Sequence, residues 1–291
     1  MANESCESCS VASCSAQKAQ PGETNQQLEE RRAVQRRLCR IKHVVTVLSG
    51  KGGVGKSTIA VNLATTLMLA GKQVGLLDVD IHGPSIPIML GLHDRPVAGE
   101  DGAMVPLQLG DLKVMSIGLL LNKPDDAVIW RGPMKIGVIR QFLADVEWED
   151  LDYLIIDCPP GTGDEPLSVC QMIEKHAGAI VVTTPQEVAA ADVSKSINFC
   201  RQLNMPVLGL VENMSGFVCP HCGETSDIFP PGAGEQMALK YDVPLLGRIP
   251  VEPGIGIAGD AGTPFVQRCA GARAAEVFQQ IVDAIVAKLE G

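Results

Sequence analysis

From residue 43 onward the chain alternates short β-branched and aliphatic runs with longer segments of helical spacing, the order of strand-helix units wound into a parallel sheet. Seven runs read as strands: 43–49, 74–80, 112–118, 152–157, 178–184, 207–213 and 245–250. Runs such as YLIID (153–157) show no polar alternation, as expected of a strand covered by helices on both faces. Val277, Ile281, Ile285 and Leu289 recur every four residues near the end of the chain and predict a helix with one apolar stripe. Its few basic residues, Arg273 and Lys288, do not suit a membrane-surface helix. Residues 91–111 interrupt the pattern and predict a hairpin or loop insertion. No internal repeat and no second domain is evident. The pattern specifies an α/β fold, a doubly wound, mostly parallel β-sheet flanked by helices.

Residues 1–40 have no aromatic side chain and are rich in Ser, Gln, Glu and Arg, a composition that buries too little apolar surface to order alone. They are expected to form a flexible, cysteine-containing tail, with residues 28–40 (LEERRAVQRRLCR) a solvated helix, ahead of a folded domain spanning 41–291. At 46% hydrophobic over 291 residues, the chain is long enough for one large domain that buries roughly three quarters of its unfolded surface. The balance of 24 basic against 34 acidic residues, net −10, repels polyanions, and 3% aromatics leaves few stacking platforms for bases. Nucleic acid is therefore not an expected partner. No basic start leads into an apolar run and no stretch offers 18 successive apolar residues, so the expectation is a cytoplasmic protein without a membrane partner. Ten cysteines in that reducing setting read as thiols or metal ligands.

The chemistry concentrates after the first strand. Gly50, Gly55, Lys56 and Ser57 match G-x-x-x-x-G-K-S between a strand and a helical run, with Lys51, Gly52, Gly53 and Val54 completing the loop and Thr58 in the first helical turn. In such a loop the backbone N–H groups and the helix amino end cradle phosphates, the lysine reaches the outer phosphates and the hydroxyl ligates magnesium. Asp157 ends a buried strand in DYLIIDCPPGTGD (152–164), a Walker B pattern suited to magnesium's water shell, and Gly161 follows within reach of a terminal phosphate. Asp78 and Asp80 end another strand, where one can orient or deprotonate the attacking water and where an aspartate also commonly forms a turn.

Cys219 and Cys222 form a C-x-x-C turn, CPHCG, a soft-metal geometry. One pair supplies two thiolates where zinc or a cubane cluster takes four. Spacing alone favours zinc. A redox pair suits the context less, because no helix opens at the pair, and a structural pair of thiols is the remaining alternative.

The loop GKGGVGKST, with DVDIHGPSIP and DCPPGTGDEP, resembles the deviant Walker A ATPases, which include MinD, ParA, ArsA and the nitrogenase iron protein. That resemblance implies that Lys51 crosses a homodimer to the partner's phosphates, acting as a trans-supplied cation on the transferring phosphoryl group, and that Asn213 reads the adenine edge. An Asn at that place also suits a turn cap. Adding WRGPM (130–134), ENMSGFVCPHCG (212–223) and LLGRIPVEP (245–253), the chain from about residue 40 to the end is similar to the Mrp/NBP iron-sulfur cluster carriers. The implied protein is a homodimeric ATPase that uses ATP and magnesium, with Lys51, Lys56, Asp80 and Asp157 as the catalytic residues. A labile 4Fe-4S cluster would sit on Cys219 and Cys222 of both copies and pass to apo iron-sulfur proteins, with assembly scaffolds as further partners. Cys6, Cys9 and Cys14 resemble part of an amino-terminal cluster site of some members, with Cys39 as one possible fourth ligand. Cys158, Cys170, Cys200 and Cys269 sit in apolar patterns and read as core residues; the histidines 43, 82, 93, 176 and 221 are scattered. Two other readings fit parts of the pattern: a partitioning or positioning ATPase, and an ATP-dependent adaptor bridged by zinc.

Overall fold

The structure is a computed structural model that describes residues 18–291 apart from 100–101, 122–131, 175, 220 and 231. The elements in chain order are α1 (Asn25–Leu38), β1 (Ile41–Ser49), α2 (Lys56–Leu69), β2 (Val74–Asp78), α3 (Ile86–Met89), β3 (Val97–Ala98), β4 (Met104–Val105), β5 (Leu107–Leu109) and β6 (Leu112–Ser116). There follow α4 (Gly132–Ala144), β7 (Leu151–Asp157), α5 (Asp164–Met172), β8 (Gly178–Thr183), α6 (Glu187–Gln202), β9 (Val207–Val218) and β10 (Thr225–Ser226). The chain closes with α7 (Ala233–Tyr241), β11 (Leu245–Val251), α8 (Pro253–Asp260), α9 (Phe265–Arg268) and α10 (Arg273–Glu290).

All seven expected strands form, and they pair in parallel in the order β11-β9-β8-β1-β7-β2-β6, with β5 antiparallel at one edge. The chain leaves β1 for β2 on one side and leaves β7 for β8 on the other, so the switch point of the winding lies at the carboxyl ends of β1 and β7. Doubly wound sheets bind ligands in that crevice. Alternate residues of β1 feed two cores. Val45 and Val47 join α2 and α10 through Ile59, Leu63, Phe278 and Ile281, while Val44 and Leu48 join Val34, Phe142 and Val169 on the opposite face. This double burial is why the strands are apolar throughout.

Three expectations are corrected. The helix expected at 28–40 as solvated begins at Asn25, where Thr24 forms a reciprocal capping box with Gln27, and it buries Val34 and Leu38 in the second core. Ion pairs flank that contact: Arg31 with Glu23 at 2.8 Å and Glu174 at 3.3 Å, and Glu30 with Arg140 of α4. The strand expected to end near Asn213 runs on to Val218. Among the four cysteines read as core, Cys158, Cys170 and Cys200 are buried and Cys269 is half-buried.

The interruption at 91–111 contains an antiparallel β3–β4 pair and the edge strand β5. Cys6, Cys9, Cys14 and the Trp130–Arg131 part of the WRGPM element lie outside the described residues. Among the described residues, no helix is long and apolar enough to cross a membrane.

Candidate functional site

β1 delivers the chain into the loop at 50–55, and α2 opens directly at Lys56. Two glycines there are required by space. A Cβ on Gly50 would lie 2.4 Å from the Asp192 carbonyl oxygen of α6, and one on Gly55, at φ 82°, would lie 2.3 Å from Asn213 Nδ2. The loop borders a cavity of about 210 Å3 lined by Ser49, Lys51, Gly52, Gly53, Lys56 and Asp80 among others. No side chain caps the amino end of α2, an arrangement that suits an anion.

Three carboxylates converge on one ammonium. In the sheet register Asp157 stands opposite Asp78, and both side chains are fully buried. Lys56 Nζ lies 2.5 Å from Asp157 Oδ1 and 3.9 Å from Asp80 Oδ2. Asp78 accepts from the Ser116 hydroxyl at 2.8 Å and from the Asp80 backbone N–H at 3.0 Å. Burial, and then the Asp157 charge, push the Asp78 carboxyl up to about 8. Burial also raises Asp157, with Lys56 opposing it. Burial works against the charge on Lys56 too, but Asp157 and, behind it, Asp80 and Asp78 hold that lysine above its ordinary value. Among the described residues Asp157 Oδ2 is buried without a hydrogen-bond partner. An orphaned carboxylate oxygen in a centre with excess negative charge, next to a helix opened by Lys56 and Ser57, suits a hard divalent cation. The residues fit magnesium, which the phosphates of a nucleotide would share.

The loops around this centre are wired to one another. Gly161 N–H donates to the Ser49 carbonyl at 2.8 Å, Val79 N–H to the Asp157 carbonyl at 3.1 Å, and the Ser49 hydroxyl to the Lys51 carbonyl at 3.0 Å. The Lys51 side chain takes a different direction from Lys56, with Nζ 3.5 Å from Gln186 Oε1 just beyond β8. Asn213, expected at the adenine edge, is buried and donates from Nδ2 to the Val54 carbonyl at 2.8 Å, so β9 pins the phosphate loop. Ser116 and Gln186 escaped the sequence reading. Their only signal was position, each at or just past the carboxyl end of a strand of this sheet.

β9 carries the cysteine pair away from that centre. After Asn213 the strand passes through Met214 at φ 58° and Gly216 at φ 82°, loses regular register with β11 and pairs Phe217 and Val218 antiparallel with β10. The turn between them is a knuckle in which Cys219 N–H donates to the Glu224 carbonyl and Gly223 N–H to the Cys219 carbonyl, both at 2.9 Å. Cys219 is half-buried and Cys222 exposed. Hydrogen bonds from the backbone N–H groups of Cys222 and His221 hold the Cys219 thiol below its usual value, which favours the thiolate that ligates metal. Among the described residues no three His, Cys, Asp or Glu side chains gather as a metal site, so the knuckle offers two ligands and open space.

Residues 40–286 match the family model described as ParA, NUBPL iron-transfer P-loop NTPase. The iron-sulfur cluster carrier protein of Methanocaldococcus jannaschii is 52% identical over 259 residues, covering 89% of each chain. A Nubp2 homologue of Anopheles gambiae, named a cytosolic Fe-S cluster assembly factor, is 50% identical over 250 residues, 84% of this chain and 96% of the relative. A nucleotide-binding protein from Archaeoglobus fulgidus, solved in complex with ADP, superposes with a TM-score of 0.72 at 41% identity over 81% of this chain and 92% of its own. Matched by that family model over residues 40–286 and about half identical to carrier and assembly proteins over most of their length, the chain belongs to the NUBPL iron-transfer P-loop NTPases of the ParA group.

Proposed function

We propose that the chain is a homodimeric, ATP-hydrolysing carrier that takes up a labile 4Fe-4S cluster on Cys219 and Cys222 of two copies and hands it to apo iron-sulfur proteins in the cytoplasm. The observation that carries this reading is the course of β9: Asn213 holds the phosphate loop, and Cys219, six residues later, follows directly on the strand's last residue, Val218. At about 3.3 Å per residue, nucleotide and cargo lie within roughly 20 Å along one strand. A nucleotide-dependent shift of the loop therefore has a short mechanical route to the thiols.

In this reading the loop amides and Lys56 bind the phosphates, Asp80 orients the attacking water, and Asn213 reads the adenine edge. Ser57 and Asp157 would hold magnesium, which when bound neutralises charge on the phosphates. Lys51 leaves its own centre and serves the partner's, as a cation on the transferring phosphoryl group. Two copies meeting about a two-fold axis would also bring two knuckles together and complete the four thiolates that neither holds alone. Hydrolysis is then slow and acts as a switch for loading or release.

Anaerobic reconstitution tests this reading. Four irons and four sulfides per dimer, transferable to an apo-acceptor, are expected. Cys222→Ala should abolish that cluster while ATP binding stays within about twofold, since the two sites share no atoms. One zinc and no iron per dimer would overturn the cluster assignment, and monomers under iron-replete, ATP-saturated conditions would overturn the dimer.

A further inference from the structure

The described part of the WRGPM element, residues 132–134, opens α4 and does not line the phosphate cavity. Three residues into that helix, Lys135 is buried, and its Nζ donates to Glu165 Oε1 at 2.6 Å and lies 2.6 Å from His82 Nε2. His82 sits two residues beyond Asp80, on the loop between β2 and α3. Glu165 sits in the first turn of α5, just past the Gly161 loop that follows Asp157. The two loops flanking the phosphate centre are thus tied to one point. That point is fixed, because Ile139, Phe142 and Leu143 bury the rest of α4 in the second core.

We propose that Lys135 is a positioning residue for nucleotide hydrolysis, a clamp that holds the Asp80 loop and the Gly161 loop in mutual register. The inference rests on the hydrolytic reading of this site. Neither His82 nor Glu165 lies in the phosphate cavity, and Lys135 does not line it, so the clamp acts on the geometry of the loops and not on the nucleotide. Misplacing a water-orienting group by about 1 Å costs on the order of a hundredfold in rate while leaving the phosphate contacts intact.

The test compares Lys135→Met, Glu165→Gln, the double variant and His82→Ala in the full chain, reading kcat and ATP Kd separately together with hydrogen exchange of residues 79–85 and 158–165. Lys135→Met is expected to lower kcat roughly ten- to a hundredfold with Kd within twofold, and to speed exchange in both loops at once. The double variant should be no worse than Lys135→Met alone, because the contacts form one unit. His82 is 61% exposed, so His82→Ala keeps the proposal testable if Lys135→Met does not fold; it should loosen the 79–85 loop and lower kcat less. Unchanged kcat and exchange, parallel loss of kcat and Kd, or additive effects would each overturn the clamp. If the wild-type chain hydrolysed no ATP, the hydrolytic reading would fall, and the exchange data would still decide whether one lysine holds both loops.

Discussion

The phosphate centre, which Asn213 touches from the middle of β9, and the cysteine knuckle, which follows the last residue of that strand, are built on opposite principles. At the first, two fully buried carboxylates, a third close by and a buried ammonium are held by sheet register and by backbone bonds between loops. At the second, two thiols sit on a two-residue antiparallel pair with Cys222 in the open. Burial makes charge strong and its removal costly, which suits a centre that must stabilise a transition state. Exposure leaves a ligand replaceable, which suits a cargo that must depart. At the first site one chain brings three carboxylates to one ammonium; at the second, among the described residues, it presents two thiols.

The largest effect that can break this contrast is the removal of a buried charge. Asp157→Ala removes the nearest counter-charge of the buried Lys56 and leaves Asp80 at 3.9 Å; it is expected to cost about 3 kcal/mol of stability and roughly a hundredfold or more in hydrolysis. Cys219→Ser should leave the urea midpoint of the apo chain where it was. Equal losses from the two variants would mean that the knuckle is as deeply integrated as the phosphate loop.

Glycine replacement sharpens the contrast at smaller scale. Gly55 and Gly223 both adopt positive φ, 82° and 73°, so alanine strains each by about 1–2 kcal/mol. Only Gly55 adds a clash, with Asn213 Nδ2, whereas a Cβ on Gly223 meets nothing within 4 Å. Gly55→Ala should therefore lose nucleotide affinity as well as stability in calorimetric titration. Gly223→Ala should bind ATP as the wild type does.

Thiol reactivity gives the smallest and most local test. Backbone donors hold Cys219 below its ordinary value, so its thiolate persists to lower pH than that of an unperturbed cysteine. Burial pushes Cys200 up to about 12, so it stays protonated through pH 10. Alkylation of the folded apo chain, followed by mass spectrometry across pH 6–9, should label Cys219 at the acid end of the range and leave Cys200 unlabelled throughout. Labelling of Cys200 at a comparable rate would show that the core opens.

Much of this was legible before any coordinates. Near-continuous apolar strands announced a sheet covered on both faces, and the spacing of Gly50, Gly55, Lys56 and Ser57 placed a phosphate loop between a strand and a helix, because both signals are local. The docked α1 was not legible. Its burial depends on Arg31 and Arg140 finding Glu174 and Glu30 across the fold, and a charge-rich helix looks the same whether or not such partners exist. Lys135 was hidden for the same reason, with partners 53 residues before it and 30 after it in the chain.

By itself, then, the order of residues determined the strands, their alternation with helices, the phosphate loop and the two-thiol turn, since each is written in residue types and spacings over a few positions. The tertiary structure alone decided that Asp78 and Asp157 stand side by side, that Asn213 pins Val54 and that one lysine joins two loops. Those depend on which strands become neighbours and on how far water is excluded between them, and both are properties of the packed chain.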